Sequence, residues 1–448
     1  MKKKLAIPAV LAAVILVGAA STQSGFIDQV VNAVDVNKNA LPTTEHELLN
    51  KISKMGGLKL VMSPAFAQIP LGDTDKLRQE GRDIVEFNLI GRSVDLPLMG
   101  GGTFKAMTFS EQVPGPTLRV TQGDVVVMTL TIPENELTPH GNDMHASQMT
   151  AVPSFGAVMP GNSLTYAYIA EVPGTFKYHC SGVNIADMDR HVLSGMYGLT
   201  IVDPLKGYKK LITEKTATKN GNVVRVHEDY TANALEFQLQ YNQLYIDENG
   251  NYDVDAMFKH DNAQTVVNGM AFGYTPNEDH AQLIKGDKNK KIFVAEPWRD
   301  AAGHLKSQVI WVPTNTHTRW FVENQGNEPV FFHIVGEILD RVYQGNKQQS
   351  WGTESWLIGG SQGAIIDVVF DEPGVYVAVN HDYAAIFSGA ATVIVAGDPF
   401  GLGIDPSEMP NPSDAVPPMA KYSMKQNLVL HGLMTDKRAE EVKAELGI

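Results

Sequence analysis

The chain contains one cysteine, Cys180, and it directly follows a histidine, His179. His191 and Met196 come shortly after it, and His140-Gly141-Asn142-Asp143-Met144-His145 lies upstream. A thiolate, two imidazoles and a thioether form the soft donor set of a trigonal copper electron-transfer site with a weak axial sulfur. That chemistry assigns His140, Cys180, His191 and Met196 to one metal. Such a geometry suits both copper oxidation states, so little rearrangement accompanies electron transfer.

His145 and His179 are then left over. Neighbouring residues on a strand point to opposite faces, so His179 looks away from Cys180 and can join a second metal. The peptide link between the two residues becomes a short covalent bridge for an electron. A lone cysteine is most often a small buried apolar residue, and a lone methionine is more often core than ligand. The combination on strand ends is what points to metal chemistry. The scattered His46, His227, His260, His280, His304, His317 and His431 read as ordinary surface or loop residues.

The elements that must position these ligands are short runs of β-branched and aromatic residues broken by turn residues. Thr117–Val120, Asp124–Ile132 and Ser163–Ile169 are examples, and the texture argues antiparallel strands in a sandwich. The same texture returns from Val224 to Val395. Pro173-Gly174-Thr175-Phe176 is echoed by Pro373-Gly374-Val375-Tyr376, and Ser194-Gly195-Met196 by Ser388-Gly389-Ala390, at a separation of about 200 residues. The expected fold is all-β, with two similar β-sandwiches in tandem over 81–205 and 223–399. Residues 206–222, rich in Lys, Gly and Thr, read as the linker.

The remaining composition narrows the function classes. The chain has 448 residues, with 36 basic and 50 acidic side chains giving a net charge of −14. With no basic stretch in its body, nucleic acid is not an expected partner. A single cysteine excludes a disulfide framework and a four-thiolate zinc or iron–sulfur site within one chain. Lys2, Lys3 and Lys4 precede an apolar run from Leu5 to Ala20, the pattern of a secretory signal at 1–20, either cleaved or kept as an anchor. The expected location is therefore outside the cytoplasm, periplasmic or at the cell surface. Residues 21–80 have no assignment. The segment 400–448 combines a proline-crowded stretch with a charged, helix-prone end.

The site residues resemble those of the copper-containing nitrite reductases, two-domain cupredoxin proteins with a type 1 and a type 2 copper. The resemblance runs from about Val113 to Pro399. It implies Greek-key cupredoxin sandwiches, a type 1 copper on His140, Cys180, His191 and Met196, and a type 2 copper on His145, His179 and His381. Val379-Asn380-His381 resembles the segment that gives the third type 2 histidine, which in the family reaches the copper of a neighbouring subunit in a homotrimer. Asp143 and, from Phe331-Phe332-His333-Ile334-Val335-Gly336, His333 would be the catalytic acid–base pair. Val335 and Met144 would form a small aliphatic lid, and Glu354 sits where the family often has a glutamate near the site. The implied reaction is one-electron reduction of nitrite to nitric oxide and water, fed by a small redox-protein donor.

Two departures stand out. Ten residues separate Cys180 from His191, a longer ligand loop than in the better-known members. The second sandwich has Ala390 where the first has Met196, and no cysteine, so it holds no type 1 copper. The nearest rival, a multicopper oxidase, needs several His-x-His pairs; none occurs in this sequence, and Ser181 rather than histidine follows the His-Cys pair. An electron carrier without a second site would have no use for His145, His179 and His381. A cupredoxin reductase acting on another small nitrogen compound stays open at this stage.

Overall fold

A computed structural model of the chain describes residues 83–98, 101–149, 155–182, 187–230, 234–275, 310–345 and 347–398. The expected signal at 1–20, the stretch 21–80 and the tail 400–448 lie outside the described residues. Among the described residues no helix is long and apolar enough to cross a membrane.

The first unit has eight strands: β1 (Ile84–Pro97), β2 (Thr103–Phe109), β3 (Leu118–Thr121), β4 (Val125–Thr131), β5 (Asp143–Met144), β6 (Ser163–Ile169), β7 (Gly174–His179) and β8 (Tyr197–Asp203). They form two four-stranded sheets, β2-β1-β4-β6 and β3-β8-β7-β5. A short helix, α1 (Met188–Leu193), leads into β8. Period-2 side-chain alternation sets the inward residues: Val126, Met128 and Leu130 of β4 join Leu164, Tyr166 and Tyr168 of β6 in one core with Cys180 and Met196. The type 1 candidates are thus part of the hydrophobic core of this sandwich.

The segment 206–222 is more than a connection. Leu211–Lys219 is a strand, β9, that pairs antiparallel with β10 (Asn222–Tyr230) along its whole length. Its alternating Leu211, Thr213 and Lys215 were hidden by the Lys- and Thr-rich composition that suggested a linker.

The second unit comprises β11 (Leu235–Leu244), a short helix α2 (Val254–Lys259), β12 (Gln264–Val267), β13 (Ile310–Val312), β14 (His317–Asn324), β15 (Val330–Val335), β16 (Leu339–Gln344), β17 (Lys347–Thr353), β18 (Ser355–Ile358), β19 (Gly363–Val369), β20 (Gly374–Asn380), α3 (Tyr383–Ser388) and β21 (Ala391–Ala396). The sheets run β12-β11-β14-β19-β16-β17 and β13-β21-β20-β15-β18. Both units use the same wiring. β1 pairs parallel with β4 as β11 does with β14, and β3 pairs parallel with β8 as β13 does with β21. With the same parallel pairs set among antiparallel ones, each unit is a two-sheet β-sandwich of the same wiring.

The strands between the two units are buried on both faces, which explains their lack of a polar face. On β14, Trp320 and Val322 enter the second core, while Phe321 on the other face packs with Leu199 and Ile201 of β8. His317, Arg319 and Glu323 share that outer face by alternation. Arg319 joins Glu236 and Asp367, Arg341 also binds Asp367, and Arg119 of the first unit binds both Asp203 and Glu236. His317 is not a surface residue as its sequence context suggested: it is buried and its Nε2 lies 2.9 Å from Asp367 Oδ1. Buried charges need such partners because desolvation otherwise costs several kcal/mol per ion.

Candidate metal centre

Three donor atoms converge at the end of β7. His140 follows Pro139 on the approach to β5 and is held by a two-way backbone bridge to Val158. Cys180 comes directly after β7, and His191 lies on α1. His140 Nδ1 lies 3.1 Å from His191 Nδ1, and Cys180 Sγ is 3.9 and 3.3 Å from those two nitrogens. All three residues are fully buried. Met196 is buried beside them: its carbonyl accepts the Cys180 N–H at 3.0 Å and its own N–H goes to the His191 carbonyl. Gly195 makes that approach possible, with φ +117 and an added Cβ falling 2.4 Å from Val113 Cγ2.

The sulfur is prepared for negative charge. Gly141 and Gly182 donate their N–H groups to Cys180 Sγ at 3.4 and 3.3 Å. Burial, with a smaller push from Asp187, still raises the thiol to about 12, so a metal that binds here must displace a proton. Burial, followed by the neighbouring His140, pulls His191 down to about 4. Its imidazole is therefore neutral at pH 7 and offers a lone pair.

A second group forms on the opposite side of the same strand. His145 Nε2 and His179 Nε2 are 3.0 Å apart, and Asp143 Oδ2 lies 3.9 and 3.8 Å from them. Cross-strand pairing produces the arrangement, since Asp143 on β5 sits opposite His179 on β7. Burial and then Lys177 lower His145 to about 4; burial, Lys177 and His145 lower His179 to about 3. Burial raises Asp143 to about 6 against the pull of Lys177. Among the described residues the metal-competent sets are thus His140–Cys180–His191 and Asp143–His145–His179.

Met144 does not join a lid. The pleat that sends Asp143 outward sends Met144 into the core, where it is fully buried and its sulfur accepts from Asn142 Nδ2. His381 is not a member of the His145–His179 group. It lies on a different face, its ring 5.4 Å from His333 and 5.4 Å from Tyr383. His333 donates from Nδ1 to the Glu354 backbone carbonyl, and Glu354 lines the same cavity as His333. Val335 follows on the same strand face as His333 and is half exposed. His333 also borders an open cavity of about 490 Å³ with Lys215, Glu337, Asp340 and Asp371.

A multicopper oxidase family model matches residues 94–207, the stretch that carries His140 through Met196. A copper-containing nitrite reductase of Neisseria meningitidis is 28% identical over 297 residues, 65% of this chain and 64% of that protein. One from Cereibacter sphaeroides is 27% identical over 381 residues, 83% of this chain and 87% of that protein. The solved copper nitrite reductase of Nitrosomonas europaea matches with a TM-score of 0.55 at 28% identity, covering 70% of this chain and 95% of that one. This chain resembles the copper-containing nitrite reductases. The match spans somewhat less than two thirds of the length of the Neisseria relative.

The resemblance extends over both sandwiches, and the second has positions equivalent to the candidate donors of the first. Asn380 N–H donates to the Ala390 carbonyl at 3.3 Å as Cys180 does to Met196, and Ala390 N–H to Ala385 as Met196 does to His191. The second unit therefore places Asn380, Ala385 and Ala390 where the first has Cys180, His191 and Met196. Asn380 uses its amide for backbone contacts with Phe331 and Pro329.

Sequence reasoning missed the residues behind the ligands. Glu136 lies 3.9 Å from His140 Nε2 and Asp187 lies 3.1 Å from His191 Nε2. Both carboxylates stand four residues before their histidine, a spacing visible in the sequence. Lys177 is two residues before His179 on β7, hence on the same face, and it is buried with Nζ donating to the Gln325 carbonyl at 2.6 Å.

Proposed function

We propose that the protein is a copper nitrite reductase, reducing nitrite by one electron to nitric oxide. The observation that carries this reading is the pair of metal-competent groups on opposite faces of one strand end, joined by the His179–Cys180 peptide. The residues fit copper: two Nδ1 atoms and a sulfur converge in the buried core, and two neutral Nε2 atoms with an adjacent carboxylate converge near the surface. His140, Cys180, His191 and Met196 would hold the type 1 ion, and His145, His179 and a neighbouring copy's His381 the type 2 ion. Copper bound there supplies one-electron transfer and an electrophilic position for a nitrite oxygen.

The side chains divide the remaining work. Nitrite plus one electron and two protons gives nitric oxide and water. The Cys180–His179 peptide would be the covalent path for that electron between the two groups. Asp143, partly buried beside the His145 and His179 nitrogens, would hold a proton for the departing oxygen. His333 spends its Nδ1 proton on Glu354, which leaves Nε2 as the atom that takes up or delivers the second proton.

His333 and His381 complete this arrangement only from another copy of the chain. Their face exposes Phe331, Val335, Leu357, Tyr383 and Phe387, an apolar surface of the kind that marks a protein interface. A homotrimer is the closed assembly in this reading. The signal-like 1–20 segment supports an exported protein, and a small redox protein is the expected electron donor.

Anaerobic turnover of nitrite with a reduced dye tests the reading. The copper-loaded protein should release nitric oxide, and His145→Ala should lose almost all of that activity while keeping the visible absorption of the Cys180 centre. Unchanged turnover in His145→Ala would remove the second group from the reaction and overturn the proposal.

A further inference from the structure

The two imidazoles around Cys180 share a feature that the ligand set does not require. Each turns Nδ1 toward the sulfur, and each leaves Nε2 facing a carboxylate from the residue four positions earlier: Glu136 for His140 at 3.9 Å and Asp187 for His191 at 3.1 Å. The second group differs, since His179 Nδ1 meets the uncharged carbonyl of Cys180.

Glu136 is fixed where it stands. Its carboxylate accepts from Ser93 N–H at 2.7 Å, Ser93 Oγ at 2.9 Å, Leu137 N–H at 3.1 Å and Thr138 N–H at 3.2 Å. Among the described residues no lysine or arginine forms an ion pair with it, although the residue is only 7% exposed. Among the described residues His140 Nε2 is buried without a hydrogen-bond partner, and the Glu136 carboxylate at 3.9 Å is the charge facing its outer proton. Asp187 is more open to solvent, at 39% side-chain exposure.

We propose that Glu136 and Asp187 are positioning residues that fix the His140 and His191 tautomers and lower the reduction potential of the Cys180 centre. The inference rests on the copper reading above. With Nδ1 given to a metal, Nε2 must carry the proton, and an anion facing that proton makes the imidazole a stronger electron donor to the ion. The oxidised, more positive ion gains more from this than the reduced one. The centre therefore becomes a stronger reductant toward His179, and the effect is larger from the buried Glu136 than from the solvent-screened Asp187.

The test is spectroelectrochemical titration of the visible sulfur-to-copper band in the full-length copper-loaded protein. Glu136→Gln keeps an acceptor for Ser93 but removes the charge. It should favour the reduced form by about tenfold, about 59 mV for one electron, with the band retained. Asp187→Asn should move the same way by a few-fold, and Glu136→Asp, which restores the charge, should return the potential toward its original value. Asp187, being exposed, tolerates substitution even where a change at Glu136 disturbs folding. A coloured Glu136→Gln or Asp187→Asn protein with an unshifted potential would overturn this inference alone. Unsubstituted protein that stays colourless with copper would overturn the copper reading and this inference with it.

Discussion

His179 donates from Nδ1 to the carbonyl oxygen of its own neighbour, Cys180, at 2.8 Å. A carbonyl only accepts, so this contact settles the tautomer: Nδ1 carries the proton and Nε2, 3.0 Å from His145 Nε2, carries the lone pair. One peptide unit thus orients an imidazole for one group while its side chain serves the other.

Replacing His179 should separate the two groups. In His179→Ala the copper content should drop from two per chain to one, with the visible band of the Cys180 centre retained. Nitrite turnover should fall by more than the roughly 10- to 100-fold that loss of an outer-shell partner costs, because a ligand itself is gone. Metal analysis beside an absorption spectrum checks both halves of the expectation.

Gly195 tests how tightly the backbone holds Met196. A methyl group there would meet Val113 at 2.4 Å in a φ region that other residues avoid. Gly195→Ala should lower stability by about 1–3 kcal/mol, the usual cost of overpacking, seen as an earlier urea midpoint. It should also shift the visible band, since Met196 follows directly.

The two donor groups that meet at the end of β7 were legible in the sequence in part because His179 and Cys180 are adjacent, and strand alternation puts them on opposite faces. The internal echo of Pro173-Gly174 in Pro373-Gly374 correctly paired β7 with β20. Met144 was misread because the pleat of a two-residue strand, with Asp143 outward, was not applied to it. His317 and Lys177 were opaque for another reason. Their burial depends on contact between the two sandwiches, a long-range pairing that no local pattern encodes.

Asp367 gathers His317, Arg319 and Arg341 of the second sandwich and makes stability depend on pH. Burial would raise its carboxyl, but His317 and the charges of Arg319 and Arg341 outweigh burial and hold it below the ordinary value. The folded state then binds its proton less readily than the unfolded chain. The contribution is present above about pH 4, the unfolded value, and is lost as pH falls through the depressed folded value. Asp367→Asn should cost about 3–5 kcal/mol at neutral pH, the range for breaking a buried ion pair, and should flatten the acid limb of the melting temperature against pH. An unchanged acid limb would place the pH dependence elsewhere.

The outer face of β15 and β18 carries the assembly argument. Phe331 sits opposite Leu357, and His333 opposite Ser355, in the antiparallel register of these strands. Phe331 is 42% and Leu357 56% exposed, so apolar surface lies next to His333, the histidine proposed as a proton donor. If three copies close around this face, a charge placed in it must be desolvated without a partner, which disfavours association. Leu357→Lys should therefore convert a sedimenting trimer into monomer while leaving the fold and the visible band intact, because Leu357 lies outside the core of the first sandwich. Nitrite turnover should be lost with the trimer, since His333 and His381 would no longer reach the His145–His179 group of another copy. A monomeric Leu357→Lys protein with full turnover would show that one chain suffices and that His381 is not shared.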